Sequence, residues 1–269
     1  MTARKSPPLL LSQISMRRSL AGPLLGGTVA SLTMRCPGAD GPNEDSAAIL
    51  PINSDRAVLA VADGVGGHRG GERASKLALK FLASSLEQAS HEEAGVDGDW
   101  RGAILRGFEG ANSAVLAEVP GAATTLAAIE TDGRFVRPYH TGDSAIFVTG
   151  QRGRIRLRTI AHSPTGYAIE SGIIDERDAM VHSERHLVSN VIGSAEMRVE
   201  VGSQLQLARR DTLVIASDGL FDNLTVDEIS EIVRAGKLTD AVDALAEAAR
   251  AAMDAGAPDD LTIVAYRRG

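Results

Sequence analysis

Apolar and polar residues form two kinds of pattern along this chain: short apolar runs and longer stretches with apolar positions at helical spacing. The run AVLAVA at residues 57–62 is bounded by charged residues and glycine, which predicts a short buried strand. Apolar residues then recur mostly at helical spacing over residues 72–89 and 100–118, which predicts two helices. The first half of the chain is therefore expected to place a buried strand before a helical pair.

The pattern changes after the second helix to short apolar segments separated by turn residues. Asp132-Gly133, Gly142-Asp143 and residues 150–153 separate these segments, which predicts an antiparallel meander. The segments cover residues 122–130, 134–141, 144–149 and 153–160.

The last third of the chain contains two more strand signals with helix signals between them. Residues 211–217 and 261–266 predict buried strands. Thr225, with Glu228 three residues later, predicts a capping box that opens a helix, and Thr239 predicts the cap of another helix. Blocks of strands segregated from blocks of helices favour an α+β fold in which helices cover an antiparallel core.

The length and the N-terminal segment set the expected domain organisation. A chain of 269 residues is long enough for one large domain, and it shows neither repeats nor a long linker. The apolar piece Leu9–Leu11 is far too short to span a bilayer. We expect residues 1–25 to form a poorly ordered extension and residues 26–269 to form one globular domain.

Composition excludes several classes of function. The formal net charge is -7 and aromatic residues make up only 3% of the chain, which argues against a nucleic-acid partner. Cys36 is the single cysteine, so no internal disulfide forms, and a cytoplasmic location is expected. An acid, Asp40, follows Cys36 closely and would repel phosphate, so we interpret Cys36 as a free thiol and not as a nucleophile.

Acidic residues stand at the ends of the apolar, strand-like runs. An aspartate cannot lie inside such a run, so these side chains must emerge where the strands end, and several neighbouring ends would form a ring of carboxylates. Hard cations such as Mg²⁺ and Mn²⁺ prefer this oxygen environment. A single Asp-Gly, such as Asp132-Gly133, is an ordinary turn; the joint pattern predicts a metal centre. Its members are Glu44-Asp45, Asp63-Gly64, Asp143, Asp218-Gly219 and Asp259-Asp260.

Six segments, in order, resemble the motifs of the metal-dependent protein phosphatase 2C family in its bacterial form. They extend over residues 43–262, which is nearly the whole globular part. The segments are NEDS at 43–46, VADGVGGHRGGERAS at 61–75, GAATTL at 121–126, HTGDSAIF at 140–147, ASDGLFD at 216–222 and DDLT at 259–262.

The resemblance implies a sandwich of two antiparallel sheets flanked by helices, with four layers and the active site at one end. It also implies roles for the acidic residues. Asp63 would bridge two metal ions and the Gly64 carbonyl would bind one, while Asp218 and Asp259 would complete the first site. Glu44 would support the second metal, directly or through water, with Asp45 in the same shell. Asp143 matches a residue that joins a third metal site in bacterial members.

The implied reaction is hydrolysis of phosphoserine and phosphothreonine in proteins by a water held between two divalent cations, without a covalent enzyme intermediate. The resemblance implies Mn²⁺ or Mg²⁺ as cofactor, with Mn²⁺ the better ion in vitro. It also implies substrates of a serine/threonine kinase, and neither a nucleic-acid nor a membrane partner is expected.

Three departures from the family pattern bear on substrate binding and catalysis. Asp40 stands where many members have a phosphate-binding arginine, and Arg35 is the nearby candidate to replace it. Val65 stands where eukaryotic members have a histidine after the Asp-Gly, and His68 follows three residues later. Asp260 replaces the asparagine of the family's last motif, where its carboxylate would either raise cation affinity or face water.

Residues 164–194 would form the family's flap, which governs access to the site. Its His182, Arg185 and His186 are interpreted as surface residues, with Arg185 a candidate contact to phosphoprotein. Two alternatives stay open: a pseudophosphatase that uses the fold as a regulatory binding module, and a phosphatase of an anti-anti-sigma-type regulator.

Overall fold

Two antiparallel sheets lie face to face in the computed structural model, which describes residues 7–65, 70–92, 98–253 and 258–269. The strands are β1 (Leu9–Ser12), β2 (Leu20–Leu24), β3 (Gly27–Met34), β4 (Ser46–Pro51), β5 (Ala57–Ala62), β6 (Leu126–Thr131), β7 (Phe135–Thr141), β8 (Ala145–Thr149), β9 (Ile155–Arg158), β10 (Glu200–Val201), β11 (Leu205–Gln206), β12 (Thr212–Ala216) and β13 (Leu261–Arg268). The helices are α1 (Gly71–Glu92), α2 (Trp100–Glu118), α3 (Pro164–Glu170), α4 (Glu176–Met180), α5 (Asp218–Phe221), α6 (Val226–Val233) and α7 (Leu238–Met253).

Each sheet is built from strands that are distant in the sequence. One has the order β1-β4-β5-β6-β7-β10, with β11 also paired to β7, and the other has the order β2-β3-β13-β12-β8-β9. All the strand pairs are antiparallel. The C-terminal strand β13 is therefore central in its sheet, between β3 from the start of the chain and β12.

Strand β5 shows why the inner strands are apolar at every position. Leu59 and Val61 face the other sheet, and the alternate residues Val58, Ala60 and Ala62 face α1 and α2. Because side chains alternate between the two faces of a strand, a strand covered on both faces must be apolar throughout.

Helices cover the outer face of each sheet. The pair α1 and α2 packs on the first sheet through residues such as Leu82, Ile104 and Phe108. Helices α5, α6 and α7 cover the second sheet, where Ile229 and Leu245 are completely buried. The four layers confirm the predicted fold class. Within the described ranges, no helix has the length and apolar character that crossing a bilayer requires.

Two predictions about chain organisation are wrong. The segment predicted as one meander divides between the sheets: β6 and β7 pair in the first sheet, and β8 and β9 pair in the second. The chain changes sheet at Gly142-Asp143 because Gly142 takes a φ of 106°, a left-handed conformation that favours glycine. Thr239 lies inside α7, which begins at Leu238, so it is not the cap; the Thr225–Glu228 capping box is confirmed.

The N-terminal segment also departs from its prediction. Strand β1 pairs with β4 and strand β2 pairs with β3, so residues 9–12 and 20–24 belong to the domain and not to a poorly ordered extension. Edge pairing satisfies backbone groups of β4 and β3, while Leu11 and Leu24 bury their side chains between the sheets. Residues 1–6 lie outside the described residues.

Candidate metal centre

Strand register brings the predicted acidic residues to one end of the sandwich. Ser46 pairs with Ala62, so the residues before β4 lie beside those after β5. In the other sheet Ala216 pairs with both Ala145 and Ile263, which places the residue after β12 beside the starts of β8 and β13. The two groups belong to facing sheets, so acidic side chains from five different segments of the chain meet at this end.

Asp63 lies at the centre of this group. Burial raises its pKa well above the ordinary value, and the charges of Asp218, Asp45, Asp259 and Asp143 raise it further, in that order. Four acids thus lie within electrostatic reach of one buried carboxyl group.

The neighbouring acids show the same perturbation. Burial, followed by the charge of Asp143, raises the pKa of Asp218 to about 7, and a hydrogen bond with Asp63 opposes this shift. Burial also raises the pKa of Asp143 to about 6. Asp259 is exposed as a residue, but protein surrounds most of its carboxyl group. Desolvation therefore raises its pKa to about 7. The group cannot be fully ionised at neutral pH without a compensating positive charge.

Glu44 and Asp45 approach the group from the start of β4. Desolvation and then the charge of Asp260 raise the pKa of Glu44 to about 7. Asp45 is 1% exposed, and Ser217 Oγ donates a 2.7 Å hydrogen bond to its Oδ2. Asp45 is thus held in place by the residue that precedes Asp218.

Two buried carboxylate oxygens have no hydrogen-bond donor. They are Oδ1 of Asp45 and Oδ1 of Asp218. A buried oxygen without a partner is costly, and a hard divalent cation would satisfy it. The oxygen-only donor set and these two open oxygens fit Mg²⁺ or Mn²⁺.

Glycine is required where the loops around the centre approach one another. A Cβ on Gly64 would lie 2.5 Å from the carbonyl carbon of Gly71, which no side chain tolerates. A Cβ on Gly71 would lie 3.0 Å from the carboxyl carbon of Glu44. Gly64 therefore keeps the backbone after Asp63 against the start of α1, and Gly71 leaves room for Glu44.

A threonine that the sequence reasoning did not assign fixes the backbone of Asp63. The N–H of Asp63 donates to Thr125 Oγ1 at 3.0 Å, and the N–H of Thr125 donates to the Asp63 carbonyl at 2.8 Å. Thr125 Oγ1 also lies 2.7 Å from Ser144 Oγ, next to Asp143. The GAATTL segment thus connects the two loops that carry Asp63 and Asp143.

Asp260 does not face water, which was one of the two environments predicted for it. It is 8% exposed, and its two oxygens accept 2.6 Å hydrogen bonds from the backbone N–H groups of Cys36 and Glu44. The other prediction, that its carboxylate raises cation affinity, stays a prediction. Its carboxylate clamps the loop that leads to Glu44, and an asparagine would offer one acceptor oxygen where this chain uses two.

A cavity of about 110 Å³ opens beside the acidic group, between it and the predicted flap. Asp143, Asp218 and Asp222 line it, and Arg185 from the flap lines it from the other side. Burial, followed by the charges of Asp218 and Asp143, raises the pKa of Asp222 to about 8, and the charge of Arg185 opposes this. Arg185 is therefore the flap residue that brings positive charge to the acidic group.

Arg35, predicted to bind substrate phosphate, lies elsewhere. Its guanidinium donates to the Gly41 carbonyl at 3.2 Å, and it lines a separate groove with Cys36 and Asn43. Burial and the nearby Asp259 raise the pKa of the Cys36 thiol, which supports its interpretation as a free thiol and not a nucleophile. His68 lies outside the described residues.

A second group of metal-ligating side chains is found among the described residues: His140, His162 and Glu200, with ligand atoms within 4.8 Å. The two imidazole rings stack at 4.4 Å with an interplanar angle of 19°, so their in-plane lone pairs run nearly parallel and do not converge on one ion. His162 Nδ1 accepts the Gly142 N–H at 3.1 Å and lies 3.0 Å from Asn190 Nδ2. We interpret this pair as a buried hydrogen-bonded connection between the sheet-crossing loop and the flap.

Comparison with known proteins places the chain in a family. A family model described as protein phosphatase 2C matches residues 36–261. The serine/threonine phosphatase stp of Listeria welshimeri is 25% identical over 235 residues, which are 84% of this chain and 90% of that protein. The serine/threonine protein phosphatase PstP of Mycobacterium tuberculosis is 30% identical over 229 residues, 82% of this chain and 41% of that protein.

A solved structure shows the same architecture. The catalytic domain of the serine/threonine protein phosphatase PstP in complex with two manganese ions superposes with a TM-score of 0.68 at 25% identity, covering 89% of this chain and 96% of that one. Together with the family model and the converging carboxylates, this confirms the resemblance drawn from the sequence motifs. The chain belongs to the protein phosphatase 2C family of metal-dependent serine/threonine phosphatases.

Proposed function

We propose that this protein hydrolyses phosphoserine and phosphothreonine in protein substrates of a serine/threonine kinase, with two divalent cations, Mn²⁺ or Mg²⁺, held by the acidic group. The observation that carries the proposal is the convergence of carboxylates from both sheets around Asp63, with buried oxygens of Asp45 and Asp218 left open. When bound, the cations would lower the pKa of a water molecule and offset charge on the phosphoryl oxygens.

The residues have distinct parts in this proposal. Asp63, Asp218 and Asp259, with the Gly64 carbonyl, would hold the two catalytic cations, and Glu44 and Asp45 would support the second. Asp143 would take part in a third site. Support comes from the mutual electrostatic reach of these acids and from the hydrogen bonds that fix Asp63 and Asp45.

Arg185 is the proposed phosphate-binding residue in place of the missing family arginine. Each guanidinium donates to a backbone carbonyl, that of Arg185 to His182 at 3.4 Å and that of Arg35 to Gly41 at 3.2 Å. The difference is that Arg185 lines the cavity that Asp143 and Asp218 also line, whereas Arg35 lines another groove. A guanidinium that lines this cavity would orient a phosphate through two hydrogen bonds and hold it beside the acidic group. Glu44, Asp45 and the other acids repel phosphate until cations neutralise them.

The test is hydrolysis of matched phosphothreonine, phosphoserine and phosphotyrosine peptides by the purified chain, with Mn²⁺ added or chelated. We expect release of phosphate from the phosphothreonine and phosphoserine peptides, and only when the metal is present. Turnover that persists in chelator, or that is confined to phosphotyrosine, would refute the proposed function. We also propose a cytoplasmic location, because the single cysteine, Cys36, can form no internal disulfide.

A further inference from the structure

A second cavity lies at the opposite end of the sandwich from the acidic group. Its volume is 410 Å³, and four basic residues line it: Arg210, Lys237, Arg267 and Arg268. Strand β13 begins beside Asp259-Asp260 and ends at this cavity. A strand rises about 3.3 Å per residue, so the two ends of β13 are separated by roughly 25 Å. The cavity is therefore separate from the metal centre.

The positive charge of this cavity is only partly compensated by nearby acids. Arg267 is 9% exposed, and it donates to neutral acceptors: Thr212 Oγ1 at 3.0 Å, the Gly236 carbonyl at 2.6 Å and the Val233 carbonyl. Two acids adjoin lining residues in sequence: Asp211 is paired with Arg156, and Asp240, in the first turn of α7, accepts a 3.4 Å hydrogen bond from Thr239 Oγ1. Within the ranges that the structure describes, no acidic side chain lines the cavity. In a chain of net charge -7 this concentration of cations is unusual.

Two of the basic residues are free to contact a ligand. Arg210 and Lys237 are exposed, and in the described part of the chain neither side chain makes a hydrogen bond or an ion pair. Arg210 lies close enough to Arg267 that its charge, after burial, contributes to lowering the pKa of that guanidinium. Two exposed cations thus line the same cavity as a buried one.

The start of α7 adds donors to the same place. Leu238 and Thr239, the first two residues of this 16-residue helix, line the cavity. Lys237 precedes them and accepts the N–H of Ala241 through its carbonyl, but its side chain has no acceptor with which to cap the first-turn N–H groups. The positive end of the helix dipole therefore coincides with the basic cluster, and although Asp240 in the first turn offsets part of that charge, an anion is the favourable partner there.

We propose that this cavity binds a small phosphate-bearing anion with at least two negative charges, of the diphosphate class. The guanidinium of Arg210 and the ammonium of Lys237 would contact the phosphoryl oxygens, and Arg267 and the α7 N-terminus would form the base of the site. The volume accommodates a diphosphate and leaves room for an attached group. The diphosphate could come as free pyrophosphate or as part of a nucleotide.

The experiment is calorimetric titration of the full chain with pyrophosphate, in metal-free buffer at low salt. Without divalent cations the acidic group repels the probe, so this measurement does not depend on the proposed phosphatase function. We expect one site per chain and a dissociation constant that rises at least about tenfold in the double variant Arg210→Gln/Lys237→Gln, because two charge-assisted hydrogen bonds are lost. Both positions are exposed, so the variant should fold, which a melting curve would verify.

Arg209→Gln is the matched control, since Arg209 is exposed and adjacent but does not line the cavity. Its affinity for pyrophosphate should stay within about twofold of the original because its loss changes only the long-range, screened field. Absence of binding, equal losses in the control and the double variant, or an affinity for inorganic phosphate equal to that for pyrophosphate would each overturn the proposal. Equal affinities for pyrophosphate and ADP would assign recognition to the diphosphate alone, and tighter ADP binding would identify a nucleotide as the source.

Discussion

The substitution Asp260→Asn tests whether the carboxylate clamp positions the metal centre. Each oxygen of Asp260 accepts one 2.6 Å hydrogen bond, from the N–H groups of Cys36 and Glu44. Asparagine presents one oxygen and one NH₂ group, so one backbone N–H faces another donor and is left unpaired. Losing one charge-assisted bond and burying one unpaired N–H costs about 1–3 kcal/mol.

An opposing effect depends on the metal. The charge of Asp260 raises the pKa of Glu44 and of Asp259, so its removal relieves repulsion in the metal-free protein. Bound cations would already compensate that repulsion, and the relief would then disappear. We therefore expect Asp260→Asn to lower the free energy of unfolding more in the presence of Mn²⁺ than in its absence.

The assay is urea unfolding with and without Mn²⁺, together with the Mn²⁺ concentration that gives half-maximal hydrolysis of an aryl phosphate. A loss of about 1.4 kcal/mol in metal binding corresponds to a tenfold higher Mn²⁺ requirement. Asp55→Asn is the control, because Asp55 is exposed in the turn between β4 and β5, at the opposite end of these strands from the site. An unchanged Mn²⁺ requirement, with equal destabilisation in both conditions, would refute the clamp as a positioning device and leave it a purely structural contact.

Three further predictions follow from the same site. Arg185→Gln should raise KM for a phosphothreonine peptide about tenfold through loss of a charged hydrogen bond, whereas Arg35→Gln should leave KM nearly unchanged. Steady-state kinetics of the two variants would test this. A larger increase in KM for Arg35→Gln would identify Arg35 as the phosphate ligand. Thr125→Val removes the hydroxyl that joins Asp63 to Ser144 and leaves the Asp63 N–H without its acceptor. We expect kcat to fall and the free energy of unfolding to drop by about 1–3 kcal/mol; full activity in the folded variant would show that Thr125 does not position Asp63. The folded-state pKa values of Asp143, Asp218 and Asp259, at about 6 to about 7, exceed the unfolded value of 3.8, so their contribution to stability is present at low pH and is lost as the pH rises through the folded values. Metal-free protein should therefore melt at a lower temperature at about pH 8 than at about pH 5.5, and Mn²⁺ should remove that decline; a melting temperature that does not depend on pH in chelator would contradict it.

The local pattern predicted most of the secondary structure, because the signals lie within single segments. The strand at 57–62 and the helix at 100–118 have the predicted bounds, and the Thr225–Glu228 box is formed by both of its hydrogen bonds. The same local reasoning predicted the acidic residues at the ends of strands, since an aspartate directly after an apolar run can be recognised in the sequence.

The pairing of strands that are distant in the sequence could not be predicted from the sequence. Nothing in the residues 9–12 and 20–24 indicates that they complete the edges of two different sheets, because their partners lie elsewhere in the chain. The clamp by Asp260 joins residues separated by 216 positions or more, and no local pattern encodes it. Arg185 lines one cavity with Ala145 of β8 and Phe221 of α5, which are distant in the sequence, so sequence distance favoured Arg35 instead.

The most direct test of the central claim is to count the Mn²⁺ bound per chain at equilibrium and to measure turnover of a phosphothreonine peptide in the same samples. The comparison is between the original chain, Asp63→Asn, and Asp132→Asn, which makes the same change in an Asp-Gly turn outside the site. We predict about two tightly bound ions and metal-dependent turnover for the original chain and for Asp132→Asn. Asp63→Asn should lose both tight binding and turnover. If Asp63→Asn binds as much Mn²⁺ as tightly as the original chain, or keeps its activity, the acidic group is not the metal centre and the account is wrong.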